Sequence, residues 1–128
     1  MEILYIEDNI ANLRLIERVM ALRPSVHLLE AMTGAEGIAL AAAHRPDLVM
    51  VDLHLPDVDG AEVVQRLRAD PATRSLRVAV VSADATPGRV EQLLAGGADL
   101  YFTKPLDVGE LLATIDDMVE ACEADKAG

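Results

Sequence analysis

Short apolar segments alternate with longer amphipathic ones along this chain, about five times over. The short segments, of which residues 48–51 and 78–81 are the clearest, are rich in β-branched residues and predict strands. The longer segments, such as residues 10–22, carry apolar residues three or four positions apart and predict helices. The predicted strands cover residues 2–6, 26–31, 47–52, 77–82 and 99–103, and the predicted helices cover residues 10–22, 34–44, 60–69, 87–95 and 107–121.

The first, third and fourth predicted strands are apolar at nearly every position and do not alternate with polar residues. This pattern is typical of parallel strands that helices cover on both faces. Strands that alternate with helices along the chain are joined by right-handed crossovers in such a sheet. We therefore predict an α/β fold, a doubly wound five-stranded parallel sheet with helices on both faces. The predicted order 2-1-3-4-5 agrees with the strand ends, because strand 2 alone ends without a reactive group and would lie at the sheet edge.

Length and composition favour a single globular domain. The chain of 128 residues is long enough for a proper core, and we place the domain at residues 1–122 with a polar C-terminal tail at 123–128. No apolar run approaches the roughly 18 residues that span a membrane, and no secretory signal is recognisable. The single cysteine excludes an internal disulfide bond. A reducing, cytoplasmic location is therefore expected.

The formal net charge of -11 argues against two classes of partner. A protein this acidic repels the phosphates of nucleic acids and the surface of anionic membranes, so direct binding to either is not expected. The same acidity is compatible with attraction of divalent cations or of a basic partner surface, and equally with solubility alone.

Four of the predicted strands end on reactive polar groups. Glu7 and Asp8 follow the first strand, Asp52 ends the third, Ser82 ends the fourth and Lys104 follows the fifth. Function gathers beyond the carboxyl ends of the strands in open parallel sheets, where the strand order reverses. We therefore expect these side chains to converge at one edge of the sheet.

The three carboxylates predict a cation site. Close carboxylates repel one another unless they take up protons or bind a cation, and oxygen ligands with positions left for water suit Mg²⁺. The alternative for the pair Glu7-Asp8 is helix capping by Asp8 or Asn9. Capping explains one residue of the pair and is compatible with a metal site.

Asp52 is the candidate nucleophile for phosphoryl transfer, through an acyl phosphate. Lys104 would neutralise the phosphoryl oxygens and Ser82 would donate a hydrogen bond to one of them. The alternatives for Asp52 are a buried structural acid and an acid that serves only the metal. The alternative for Ser82 and Lys104 is that they are ordinary solvated residues at strand ends. Pro105 after the lysine is compatible with a cis peptide bond, although a trans bond is the default expectation.

The ordered set of motifs resembles the response-regulator receiver domains of two-component signalling over essentially the whole chain, with their flavodoxin-like fold. Glu7 and Ser82 stand where aspartate and threonine are commoner in that family. The residues that carry the resemblance are Glu7-Asp8, the stretch 52–60, Ser82-Ala83, Tyr101 and Lys104-Pro105.

The resemblance implies a phosphorelay function. A histidine kinase or a histidine phosphotransfer protein would donate a phosphoryl group to Asp52, assisted by Mg²⁺. The implied metal ligands are Glu7 or Asp8, Asp52 and the backbone carbonyl of His54. The protein would be a signalling phosphoacceptor that assists its own phosphorylation and dephosphorylation rather than an enzyme.

The resemblance also implies a switch. Ser82 and Tyr101 would shift inward after phosphorylation and remodel the face of helix 4, strand 5 and helix 5, through which a homodimer is also conceivable. The alternative for Tyr101 is an ordinary half-buried strand aromatic. By the same resemblance, His54 and Asp84 would occupy positions that vary in the family and bear on phosphoryl lifetime. The segments 4–9 and 82–87 are most similar to receivers of hybrid histidine kinases.

Three other classes compete with this interpretation. A phosphatase or phosphomutase that uses an aspartyl phosphate has a second acid two residues after the nucleophile, where this chain has His54, and a cap domain that we do not expect here. A degenerate receiver that only binds partners usually lacks the acceptor, the acidic pair or the lysine, which are all present. A flavodoxin-like electron carrier needs a phosphate-binding loop where Glu7 and Asp8 would repel a phosphate.

Overall fold

The computed structural model describes residues 1–83 and 86–127. Every strand begins and ends within one residue of its predicted limits, whereas α1 ends two residues early, at Met20. In chain order the elements are β1 Glu2–Ile6, α1 Ile10–Met20, β2 His27–Ala31, α2 Gly34–His44, β3 Leu48–Asp52, α3 Gly60–Ala69, β4 Arg77–Ser82, α4 Pro87–Ala95, β5 Leu100–Thr103 and α5 Val108–Ala127.

The five strands form one parallel sheet in the order β2-β1-β3-β4-β5, so the predicted topology is confirmed. Alternate side chains of each strand point to opposite faces. In β3, Leu48 and Met50 pack with α1 and α5, whereas Val49 and Val51 pack with α2, α3 and α4. Because both faces are covered, the strand is buried at every position, which explains the absence of alternation in its sequence.

Side chains at the helix starts fix where the helices begin. Asn9 accepts a hydrogen bond from Asn12 N at the start of α1, so the capping alternative holds for Asn9. Thr33 caps α2 and Asp59 caps α3 in the same way. Pro87 occupies the first turn of α4, where its missing N–H costs nothing.

The last helix is longer than predicted. α5 continues to Ala127, beyond the expected end near residue 121, so residues 123–127 of the predicted polar tail are helical. The physical reason is that neither glycine nor proline occurs between residue 110 and Gly128. None of the described helices is both long enough and apolar enough to cross a bilayer.

One arginine joins three segments at the end of the sheet opposite the predicted site. From α3, Arg68 donates to the backbone carbonyls of Arg74 and Leu76 before β4, and to the carbonyl of Gly97 before β5 at 2.9 Å. Its Nη2 also donates to Asp99 Oδ2 at 2.8 Å. Arg68 therefore holds the starts of β4 and β5 against α3.

Replacing Arg68 by alanine is expected to lower the free energy of unfolding by about 2–3 kcal/mol, because several carbonyls lose a charged donor at once. Arg66→Ala is the matched control, since Arg66 lies on the same helix in an exposed ion pair with Glu62 and should cost about 0.5 kcal/mol or less. Urea denaturation of both variants checks this. Equal losses of stability would contradict the assigned role of Arg68.

Candidate functional site

The strand register brings the predicted site residues to one edge of the sheet. β3 pairs with β4 through Asp52 and Val81, and β4 pairs with β5 through Ser82 and Thr103. Lys104 N donates to Ser82 O at 2.9 Å directly beyond that pair. The carboxyl ends of β1, β3, β4 and β5 therefore present their polar residues to one shared space.

Three carboxylates meet in this space. Glu7, Asp8 and Asp52 each offer an oxygen, and these oxygens lie within 4.8 Å of one another. Glu7 and Asp52 are buried, whereas Asp8 is exposed. Hard oxygen donors at this separation, open to water on the side of Asp8, fit the ligand preference of Mg²⁺.

Lys104 bridges the two buried acids. Its Nζ lies 3.1 Å from Glu7 Oε2 and 3.2 Å from Asp52 Oδ1. Burial works against the charged ammonium, but the two carboxylates outweigh it and raise the pKa of Lys104 above its ordinary value. The raised pKa favours the positively charged form of the lysine beside the candidate nucleophile.

The two buried carboxyls differ in acidity. Burial raises the pKa of Asp52 above its ordinary value, and contact with Glu7 raises it further, while Lys104 opposes both effects. Burial also disfavours the ionised form of Glu7, but hydrogen bonds from Asn12, Asp52 and Lys104 outweigh it, so the pKa of Glu7 is lowered. Asp52 is therefore the weaker acid of the two.

Glu7 is surrounded by donors that the sequence analysis missed. Asn9 N and Asn12 Nδ2 each donate to its Oε1 at 3.2 Å. The Tyr5 hydroxyl donates to Oε2 at 3.3 Å. Burial, and then the negative charges of Glu7 and Asp52, raise the pKa of the Tyr5 phenol well above its ordinary value. The signal available in the sequence was spacing, because residues two apart on a strand share a face.

The loop after Asp52 is held close beneath it. His54 is exposed, and its backbone N–H points to Asp52 Oδ1 at 3.4 Å. A Cβ on Gly60 would lie only 2.4 Å from the Asp52 carbonyl oxygen, so this close approach requires glycine. Asp57 accepts from Gly34 N and Ala35 N at 2.8 and 2.9 Å, a loop contact that the sequence analysis also missed.

The remaining predicted residues lie around this centre. Ser82 is buried at the end of β4, and Tyr101 is half-buried on β5 and packs against the core on the side of α2, α3 and α4. The Lys104–Pro105 peptide bond is cis, so the default expectation of a trans bond is wrong. Asp84 lies outside the described residues.

Comparison with known proteins decides the family. Residues 3–116 match the response regulator receiver domain. The chain belongs to this family. It is 34% identical over 113 residues to the polar-differentiation response regulator DivK of Brucella anthropi, an alignment that covers 88% of this chain and 91% of that protein. DivK of Brucella abortus shows the same identity over the same length.

Solved receiver structures agree in fold. The receiver domain of sensor histidine kinase PA1611 from Pseudomonas aeruginosa, which has a magnesium ion coordinated in its active-site cleft, is 27% identical with a TM-score of 0.82. That comparison covers 93% of this chain and 97% of the other. The signal receiver domain of a DNA-binding response regulator from Colwellia psychrerythraea is 30% identical with a TM-score of 0.85, over 94% and 98% of the two chains.

Family membership confirms the predicted function at the level of the domain. The protein is a receiver domain of two-component signalling, and its acidic pocket is compatible with Mg²⁺ binding and with phosphorylation of an aspartate. Receiver domains are signalling modules that interact with histidine kinases or phosphotransfer proteins. The acidic cluster lies at the carboxyl edge of this flavodoxin-like sheet.

Proposed function

We propose that Asp52 is the phosphoacceptor of this domain and that a phosphohistidine is the donor. One observation supports this most strongly: the Asp52 carboxylate lies both in the acidic cluster and 3.2 Å from Lys104 Nζ. A carboxylate between a cation site and an ammonium can attack a phosphorus atom whose negative oxygens the two positive charges hold. The phosphatase alternative lacks support, since His54 occupies the position of its second acid.

The proposed transfer moves the phosphoryl group intact from the donor histidine to Asp52. An oxygen of ionised Asp52 attacks the phosphorus, an O–P bond forms, and the P–N bond to the donor histidine breaks. The bonding pair returns to the imidazole nitrogen of the donor. Attack by water on the same phosphorus reverses the modification and releases inorganic phosphate. In both directions the domain assists its own chemistry, and it has no other substrate in this proposal.

The proposed ligands of Mg²⁺ are Glu7, Asp8, Asp52 and the backbone carbonyl of His54. When bound, the ion would neutralise oxygens of the transferring phosphoryl group. Asp8 is the exposed member of the cluster and can contact an ion that enters from solvent. Glu7 already accepts four hydrogen bonds, so its first role is to anchor its neighbours.

Lys104 and Ser82 are the proposed phosphoryl contacts, and Tyr101 is the proposed switch. Lys104 N is hydrogen-bonded to Ser82 O, so the two residues move together with the ends of β4 and β5. Tyr101 lies three residues before the lysine and packs against the core beside α4. New charge on Asp52 would therefore shift the population of states of the face formed by α4, β5 and α5.

The finer relationships are also proposals. The segments 4–9 and 82–87 resemble receivers of hybrid histidine kinases, and the similarity to the PA1611 receiver supports that relationship. We assign modulation of phosphoryl lifetime to His54 and Asp84. We also propose that a homodimer forms through the face of α4, β5 and α5. Two further proposals are a cytoplasmic location and a domain that ends at residue 122.

Asp8→Asn is expected to slow phosphoryl transfer from a phosphohistidine protein by at least about tenfold at limiting Mg²⁺. Loss of a residue that only supports a metal ligand already lowers metal affinity or activity by about this factor, and loss of a direct ligand should lower it at least as much. Asp117→Asn, which removes the same charge from an exposed site on α5, is the matched control. Transfer of radiolabel from a phosphorylated histidine phosphotransfer protein measures the rate, and EDTA should abolish it.

Mg²⁺ titrations of the same two variants complete the test. Because the pKa of Asp52 is raised, protons compete with the metal, and the Mg²⁺ affinity of the wild type should fall as pH is lowered through that pKa. Equal transfer rates and equal Mg²⁺ affinities in the wild type and Asp8→Asn would contradict the proposed site.

A further inference from the structure

Tyr5 and Lys104 donate to the same oxygen of Glu7. The Tyr5 hydroxyl lies 3.3 Å and Lys104 Nζ lies 3.1 Å from Glu7 Oε2. The two donors come from β1 and from the end of β5, and their side chains differ in mobility. Tyr5 is fully buried within the sheet, whereas the lysine side chain is flexible and 22% exposed.

Glu7 itself cannot follow a moving partner. Its other oxygen, Oε1, accepts from Asn9 N and from Asn12 Nδ2, both at the start of α1. The residue is 1% exposed, so bulk water does not replace a lost donor. A buried carboxylate oxygen without a donor is costly.

We propose that Tyr5 is a positioning residue whose hydroxyl keeps Glu7 Oε2 hydrogen-bonded when Lys104 turns to a phosphoryl group on Asp52, a role that rests on the proposed function of Lys104. In the resting protein both donors are present and either one alone satisfies the oxygen. In the phosphorylated protein the tyrosine is the one of these two hydrogen-bond donors that remains on Oε2, whether or not Mg²⁺ binds the carboxylate. Tyr5 therefore stabilises the phosphorylated state more than the resting state, without contacting the phosphoryl group.

Tyr5→Phe is expected to weaken binding of beryllofluoride, a stable phosphoryl mimic, by about fivefold to tenfold at saturating Mg²⁺, because the mimic-bound state loses the last donor to this oxygen. Ile3→Val is the matched control. Ile3 is buried on the same strand and faces the same core cluster as Tyr5, away from the site, so its affinity for the mimic should equal that of the wild type. Amide chemical shifts followed during beryllofluoride titration measure both affinities.

A second measurement separates this role from simple packing. In the unligated protein either donor alone satisfies Glu7 Oε2, so each single variant, Tyr5→Phe or Lys104→Ala, should lose little unfolding free energy on this account. The double variant should lose more unfolding free energy than the sum of the two single losses. Wild-type affinity for the mimic in Tyr5→Phe, or strict additivity, would overturn the inference. A wild-type protein that does not bind beryllofluoride with Mg²⁺ would instead overturn the proposed function of the site.

Discussion

Lys104→Ala is expected to accept a phosphoryl group, more slowly than the wild type, yet to lose most of the structural response. Lys104 lies between Glu7 and Asp52 and is joined through its backbone to Ser82. A phosphoryl group adds a charge of roughly -1.5 to -2 on Asp52, and the lysine is the described cation in contact with that residue. Allosteric coupling is usually about 1–3 kcal/mol, and loss of this ion pair should remove most of it.

The measurement compares amide spectra of the α4, β5 and α5 face with and without beryllofluoride. Wild type should show shifts around Tyr101, and Lys104→Ala should show few of them at a mimic concentration that saturates the site. Ser82→Ala serves as the graded comparison, because it removes a hydroxyl rather than a charge and should reduce the shifts less. The full wild-type pattern in Lys104→Ala would exclude the lysine as the coupling residue.

Asp52→Asn is expected to abolish phosphorylation while leaving the fold intact. An amide is not a nucleophile for phosphoryl transfer under these conditions, and Asp8 is exposed and lacks the contact with Lys104 that Asp52 has. The substitution preserves side-chain size, and it removes a buried carboxyl whose ionised form both burial and Glu7 disfavour. Stability without Mg²⁺ should therefore be retained or increased.

Incubation with acetyl phosphate and Mg²⁺, followed by intact-protein mass spectrometry, measures this directly. The wild type should gain one phosphoryl group and the variant none. Asn12→Ala provides a second comparison, because it removes a neutral donor to Glu7 and leaves the acceptor in place. Phosphorylation of Asp52→Asn at the wild-type rate would mean that another residue is the acceptor.

The sequence predicted the topology because the strong signals were local. Fully apolar runs at β3 and β4 indicated parallel strands covered on both faces. The predicted order agreed with the positions of the reactive strand ends, because β2 alone lacks one and lies at the edge of the sheet. Four of the five strands also end on a reactive residue or directly before one, as β3 ends on Asp52 and β4 on Ser82. Parallel strands bring such ends together whatever their separation in the chain, so the composition of the site could be predicted.

What the sequence did not predict depends on side-chain direction and on competition between states. The bonds from Tyr5 and Asn12 to Glu7 require the angle at which α1 leaves β1. Asp57 was placed in the loop, but its contact with the start of α2 depends on packing between neighbouring loops. The isomer of the Lys104–Pro105 bond is likewise set by surroundings that no local pattern encodes.

The arrangement around Asp52 explains how two buried carboxyls, Glu7 and Asp52, can take different roles. Glu7 is held by four donors, which include Lys104, and its pKa is lowered in the resting protein. Asp52 has the raised pKa of the pair and lies beside the exposed Asp8, the side from which we propose that a cation enters. The division of roles follows from unequal hydrogen bonding of two similar groups.

Mapping the phosphoryl group to a residue tests the central claim most directly. Wild-type protein phosphorylated by acetyl phosphate with Mg²⁺ is reduced with borohydride, which converts an aspartyl phosphate to homoserine, and its peptides are sequenced by mass spectrometry. We predict homoserine at position 52 alone, and none when EDTA replaces Mg²⁺. Homoserine at position 8, a stable phosphate on a serine or histidine, or modification that is unaffected by EDTA would contradict Asp52 as the Mg²⁺-dependent acceptor.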